Sequence, residues 1–255
     1  MQKMPVLFIG HGSPMNAIED NVYTRMWCDI ANKIPKPSAI LSISAHWVTD
    51  GSRVTDDPQP KVVYDMYGFP KELYEVDYHP LGAPELAHVT KKLINGNIHF
   101  DSSWGIDHGT WSVLNVMYPE ADIPVFQLSL DNKATAAEHF AIGTKLKKLR
   151  EQGVLILGSG NVVHNLSKLG WEMEDGYDWG IDFDRYIKDE VVKRDYRNVI
   201  DYKKAGKSAE MAFYTSEHFD PLLYVLGASD ESDTLSIYNN ACTLGSLSMT
   251  CYLFE

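Results

Sequence analysis

Val6-Leu7-Phe8-Ile9 is a wholly apolar run that ends at Gly10-His11-Gly12-Ser13-Pro14, the pattern of a strand buried on both faces that runs into a sharp loop. Ile18, Val22, Met26 and Ile30 then recur at every fourth position until Pro35 and Pro37 interrupt, which predicts an amphipathic helix. Ala39-Ile40-Leu41-Ser42-Ile43-Ser44 reads as a second apolar strand. Strand, helix and strand in that order predict a parallel pair joined by a crossover.

From Thr49 to Gly82 the chain turns polar, proline-containing and tyrosine-rich, with weak strand character at Val62-Val63 and from Tyr64 to Tyr78. This predicts an excursion with a hairpin, lying over an edge or a cleft. Leu86, Val89 and Leu93 mark a helix begun near Pro84, and Ser112 to Tyr118 a short one ended by Pro119. Val125-Phe126-Gln127-Leu128 is a third strand. Thr135 and Glu138 form a capping-box pattern, and Ile142, Leu146 and Leu149 carry the helix on to Gly153.

Val154-Leu155-Ile156-Leu157 is a fourth strand, ended by Gly158-Ser159-Gly160. Asp175 to Tyr202 reads as one long helix with a solvated charged face. Leu222 to Leu226 fits either buried helix or strand, since periodicity does not decide over five residues. Leu235 to Tyr238 and Leu247 to Leu253 read as closing strands. With no repeat, low-complexity tract or linker, the pattern predicts a single α/β domain over residues 1–255, with a central mostly parallel sheet flanked by helices.

Charge and cysteine content narrow the chemistry. Among 255 residues, 23 Lys+Arg against 35 Asp+Glu give a formal net charge of −12. This acidity is spread along the chain with no basic block, which argues against a nucleic-acid or anionic-membrane partner. The apolar run from Val6 is too short for a signal-peptide core, and no stretch approaches the roughly 20 apolar residues of a bilayer span. A soluble cytoplasmic protein is expected, as a monomer or small homo-oligomer. Cys28, Cys242 and Cys251 are odd in number and contain no C-x-x-C, so neither a disulfide framework nor a thiolate zinc site is indicated.

Nine histidines then become the residues to follow, imidazole being the usual ligand or proton carrier where thiolates are scarce. In an open parallel sheet, ligands bind at the carboxyl ends of the strands. His11 lies two residues beyond the first apolar run, His46 two beyond the second strand and His164 seven beyond Leu157, so all three can reach that edge. His108 falls in a loop, Gly105-Ile106-Asp107-His108-Gly109-Thr110, and His218 in a polar segment before Pro221. His139 shares an apolar face with Ile142 and Leu146 and reads as a packed core histidine. His88 lies beside Lys91 and Lys92 on a solvated face, His99 on a presumptive strand, and His79 in the tyrosine-rich loop.

Other motifs fail on inspection. Gly10-His11-Gly12 begins like G-x-G-x-x-G, but its sixth position is Met15; Gly158-Ser159-Gly160 fails at Val163. No nucleophile elbow, phosphate loop or H-E-x-x-H pair occurs. Ser13 reads as a helix start rather than as a nucleophile paired with His11.

Four segments together carry a resemblance. They are Leu7 to Met15 (LFIGHGSPM), Ser44-Ala45-His46-Trp47, Gly105 to Trp111 (GIDHGTW) and Gly158 to Leu166 (GSGNVVHNL). In this order they resemble the 4,5-DOPA dioxygenase extradiol branch of the class III extradiol ring-cleavage dioxygenases, over residues 7 to about 227. The resemblance implies a single α/β domain with a mononuclear non-haem metal, normally Fe(II), that opens a catechol ring beside its hydroxyls with dioxygen. It implies His11 and His46 as metal ligands, His218 as the third where the wider family has a glutamate, and His164 as an acid/base that becomes a ligand when Zn(II) occupies the site. His108 resembles a histidine near the substrate hydroxyl, acting with His164 in proton transfer. Tyr78-His79-Pro80-Leu81-Gly82 departs from the Tyr-Pro-Ala-Pro-Gly associated with this branch.

Two ligand questions stay open. Glu217, beside His218, could supply a carboxylate in its place, giving the 2-His-1-carboxylate set that suits Fe(II) oxygenases. An all-histidine set would also suit zinc. The sequence therefore leaves two other functions standing: a zinc hydrolase using the same histidines to activate water, and a binding relative that kept the fold without turnover.

Overall fold

The computed structural model describes residues 3–255. Its centre is a six-stranded sheet built from β1 (Val6–Gly10), β2 (Ala39–Ser44), β3 (Val125–Gln127), β4 (Val154–Gly160), β5 (Leu235–Tyr238) and β6 (Cys251–Phe254). The strand order is β5-β6-β1-β4-β2-β3. The pairs β1–β4, β4–β2 and β2–β3 are parallel, while β6 runs antiparallel to both β1 and β5. The expected mostly parallel sheet is thus present, with an antiparallel edge.

Alternate side chains divide between two apolar layers, because successive residues of a strand point to opposite faces. Val6, Phe8, Leu41, Ile43 and Ile156 pack with Leu146, Phe183, Ile187 and Leu222 on one face. Leu7, Ile9, Ile40, Leu155 and Leu157 pack with Trp27, Ile30, Trp111 and Leu114 on the other. The first face is covered by α2 (Pro84–Ile94), α4 (Ala136–Leu146), α5 (Asp178–Val192) and α8 (Asp220–Ala228), the second by α1 (Val22–Lys33) and α3 (His108–Met117). Two shorter helices, α6 (Tyr196–Ile200) and α7 (Lys207–Ala212), follow α5.

Several boundaries differ from the sequence reading, each for a local reason. The first helix starts at Val22 rather than near Ile18, because the Asn21 side chain accepts from Tyr23 N–H and Thr24 N–H and fixes the start there. Ile18 is left 43% exposed. Ser13 does cap the short 3-10 turn Pro14–Ala17, as expected. The excursion holds no hairpin among the described residues. Ser52–Val54 pairs in parallel with Ile98–Phe100, and Lys61–Val62 in parallel with Gly105–Ile106, so the excursion is tied to the chain that follows it rather than to itself.

The fourth strand runs through Gly158-Ser159-Gly160 instead of stopping before them. After the capping box at Thr135, the last turn of the helix toward Gly153 tightens into a 3-10 segment, Lys147–Gln152. The long helix expected from Asp175 to Tyr202 is broken. Arg194 takes a left-handed φ of 60°, and its guanidinium donates to the carbonyls of Asp230 and Asp233, so tertiary contacts end α5 where periodicity alone would continue it.

Candidate metal centre

Strand register places the site. Gly10 lies opposite Gly160, and Ser159 opposite Ser44, so β1, β4 and β2 end level with one another. His11 follows β1 directly, and His46 follows β2 after Ala45. His218 closes a 3-10 turn, Ser216–His218, just ahead of α8, and its carbonyl accepts Asn161 N–H at 2.8 Å from the chain leaving β4. A side chain at Gly160 would strike that same carbonyl, so the approach needs glycine. The result is three histidines whose ligand atoms all lie within 4.8 Å of one another.

Hydrogen bonding fixes the face that His11 presents. Ser159 Oγ donates to Gly109 O at 2.5 Å and so accepts the Nδ1–H of His11 at 2.9 Å. The proton therefore sits on Nδ1, and the Nε2 lone pair faces His46 Nε2 at 3.4 Å. Both ring nitrogens of His218 are buried with no hydrogen-bond partner. An orphaned buried nitrogen is costly, and the free His218 nitrogens beside the facing Nε2 atoms of His11 and His46 match what a borderline-soft divalent cation requires. The residues present fit a metal ion.

Electrostatics agree with that fit. Burial, reinforced by the neighbouring imidazoles, holds His11 and His218 well below the ordinary histidine range. Burial likewise lowers His46 to about 3 and His164 to about 4. All four rings are neutral at neutral pH, the state in which imidazole ligates or accepts a proton.

The other expected site residues lie around this group. His164 stacks on His218, with ring centroids 3.4 Å apart and planes 5° from parallel, yet its nitrogens fall outside the converging set. His108 lies against His46, with ring centroids 3.8 Å apart and planes tilted by 44°. It is the first residue of α3 rather than part of a loop, because Asp107 accepts Thr110 N–H and caps the helix there. Asp107 is itself held by Ser44 Oγ at 2.7 Å and Gln127 Nε2 at 2.8 Å, which lock the helix start to the ends of β2 and β3. Glu217 Oε1 lies 3.5 Å from His218 Nδ1, outside the converging nitrogens, and lines an adjoining cavity of about 720 Å³ with Val48, Leu130, Tyr214 and Asp220.

The remaining histidines are elsewhere. His139 is a core residue bonded to Tyr224 OH at 2.9 Å. His79, His88 and His99 are exposed. Two participants were missed by sequence reasoning. Ser159 sits in a glycine pair that failed a nucleotide motif, though its place in the strand pattern would have put it beside His11. Asp65, in the excursion, reaches both His46 and His108; burial alone would raise its carboxyl, but the hydrogen bonds and charge of His108 outweigh this and hold it below its usual value. No sequence signal marked it out.

An α/β sheet whose parallel strands deliver buried neutral imidazoles to one edge defines a metal-site protein of the oxygenase or hydrolase kind. Residues 5–250 match the family described as the catalytic LigB subunit of aromatic ring-opening dioxygenase, and the chain belongs to this family. It is 43% identical to the 4,5-DOPA dioxygenase extradiol of Escherichia coli K12, across 97% of this chain and 93% of that protein. It is 35% identical to the 4,5-DOPA dioxygenase extradiol of Beta vulgaris, across 97% and 95%. The crystal structure of an uncharacterized protein from Escherichia coli K12 superposes with a TM-score of 0.87 at 38% identity, covering 99% of this chain and all of that one. Among the described residues, no helix is long and apolar enough to cross a membrane.

Proposed function

We propose that this protein is a metal-dependent extradiol dioxygenase that opens the ring of a catechol such as DOPA with dioxygen, giving a semialdehyde of the seco-DOPA type. The observation that carries the reading is the convergence of the His11, His46 and His218 nitrogens at the sheet edge. These three residues are the proposed ligands of Fe(II), and Zn(II) suits the same donors. When bound, iron supplies Lewis acidity toward the catechol hydroxyls and the one-electron chemistry that dioxygen demands, which zinc lacks.

The chain's own residues then handle protons and exclude water. His164, neutral because burial lowers it to about 4, has a lone pair to accept a hydroxyl proton and later return it. It takes a ligand role only if its ring moves toward the converging set. His108 is the second proton carrier, its Nδ1 turned to Asp65 and its Nε2 free to face substrate. His11, His108 and His218 are each under a tenth exposed, so these three rings are shielded from bulk water, while the His46 side chain is 19% exposed. We assign residues 1–255 to one catalytic domain, acting in the cytoplasm as a monomer or small homo-oligomer, without nucleic-acid or membrane partners.

Because the converging set is all-histidine, zinc-dependent hydrolysis is the competing reading. Anaerobic reconstitution with Fe(II), followed by oxygen uptake with DOPA and simpler catechols, separates the two. Oxygen consumption with a yellow ring-opened product is expected. No uptake by Fe(II)-loaded protein across that panel would overturn the proposal, and ester or amide hydrolysis by the zinc form would replace it.

A further inference from the structure

The excursion from Thr49 to Gly82 delivers one carboxylate to the histidine group. Asp65 Oδ1 accepts the backbone N–H of His108 at 2.9 Å. Its Oδ2 lies 3.0 Å from His108 Nδ1, while His46 Nδ1, 3.7 Å away, is beyond hydrogen-bond reach; the two rings lie 3.8 Å apart with planes tilted by 44°. The chain just ahead of Asp65 is anchored, by Trp111 Nε1 donating to Val63 O at 3.0 Å and Tyr64 OH donating to Val76 O at 2.7 Å. The Asp65 side chain is 17% exposed, although the residue as a whole lies at the surface.

We propose that Asp65 is a positioning residue for the proton carrier: bonded to the His108 backbone N–H and 3.0 Å from its Nδ1, the carboxylate favours the Nδ1–H tautomer of His108 and leaves its Nε2 lone pair free. The inference rests on the ring-opening function proposed above. A carboxylate on the far nitrogen of an imidazole fixes the tautomer and ring orientation and raises the basicity of the near one. A carboxylate so placed ties the excursion to the proton carrier. It also makes the excursion part of the site.

The competing arrangement is that Asp65 is itself a ligand, since His46, Asp65 and His108 also bring ligand atoms within 4.8 Å of one another. Asp65→Asn and Asp65→Ala in the full chain distinguish the two. In metal-free wild type, nitrogen NMR should show His108 as the Nδ1–H tautomer, and Asp65→Ala should lose that preference. Loaded with Co(II), Asp65→Asn should keep the wild-type visible spectrum, because the ligand set is unchanged. Loaded with Fe(II), it should lose roughly 10–100-fold in kcat, the usual cost of removing such a partner, with KM little changed. A changed cobalt spectrum would make Asp65 a ligand, and an unchanged tautomer with unchanged kcat would remove it from the site; either overturns the proposal. If wild type shows no catechol turnover, the function fails while the tautomer and cobalt measurements still decide the role of Asp65.

Discussion

The Nε2 atoms of His11 and His46 face each other at 3.4 Å, although the strands that deliver them, β1 and β2, are not neighbours but flank β4. The level ends of three parallel strands create that meeting, and Ser159, on the strand between, orients His11. Two lone pairs so close are stable only with a proton or a cation to share.

Zinc or iron should therefore stabilise the fold, and should do so only when the histidines are present. A ligand that binds only the native state adds about 2.7 kcal/mol at a concentration 100 times its Kd. Urea unfolding of metal-free wild type, with and without Zn(II), should show a gain of that order. His11→Ala and His46→Ala should fold but show almost none of it. An equal gain in both variants would place the metal elsewhere.

Ser159→Ala tests the tautomer argument directly. The substitution removes no ligand and little volume, but leaves Nδ1–H of His11 without its acceptor and frees the ring to turn. Metal affinity, measured by competition with a chromophoric chelator, should fall by roughly 10–100-fold. Unchanged affinity would mean that packing alone holds His11.

Much of this site is legible in the sequence, and the limits are physical. His11 and His46 could be placed because apolar runs mark the strands and ligands gather at strand ends. His164 can be brought to the same edge by its distance from Leu157, but it and His218 come from irregular chain, where no periodicity says which way a side chain points; for His218 the resemblance supplies the grouping. The start of α3 was placed too late because Asp107 is a cap whose own partners, Ser44 and Gln127, lie far away in sequence. Asp65 is one carboxylate among many, and only tertiary pairing of Lys61–Val62 with Gly105–Ile106 brings its loop to His108. The break after α5 has the same character, since the partners of Arg194 lie near Asp230.

Gly109→Ala should be destabilising in spite of its helical setting. In an exposed helix the change gains up to about 1 kcal/mol. Here a Cβ would collide with Ser44 Oγ and the His46 ring, both fixed by the site. Overpacking of this kind costs about 1–3 kcal/mol, so the urea midpoint should fall rather than rise. Metal affinity should fall with it, because the His46 ring is what must give way. A raised midpoint would show that the contact relaxes freely.

The far end of the sheet carries a second ionic feature with a separate consequence. Arg150, 1% exposed, grips Asp233 through two nitrogens at 2.7 and 3.0 Å and also donates to the carbonyls of Met4 and Ala228. Burial alone would raise the Asp233 carboxyl, but its bonds to Arg150 and Lys3 prevail and hold it down to about 2. A carboxyl lowered on folding stabilises the native state above its unfolded value of 3.8, and that contribution fades as pH falls toward 2. Wild type should thus lose stability across this window, and Asp233→Asn should lose less. Arg150→Met should cost at most about 3–5 kcal/mol near neutral pH, because it leaves the buried Asp233 carboxylate with only Lys3 and the Asp230 N–H as partners. Adding Asp233→Leu to Arg150→Met should recover most of that loss in urea unfolding, since the cost comes from a buried charge that Lys3 alone underpairs rather than from the absence of the pair. A double variant as unstable as Arg150→Met alone would instead assign the loss to the two backbone carbonyls that Arg150 leaves behind.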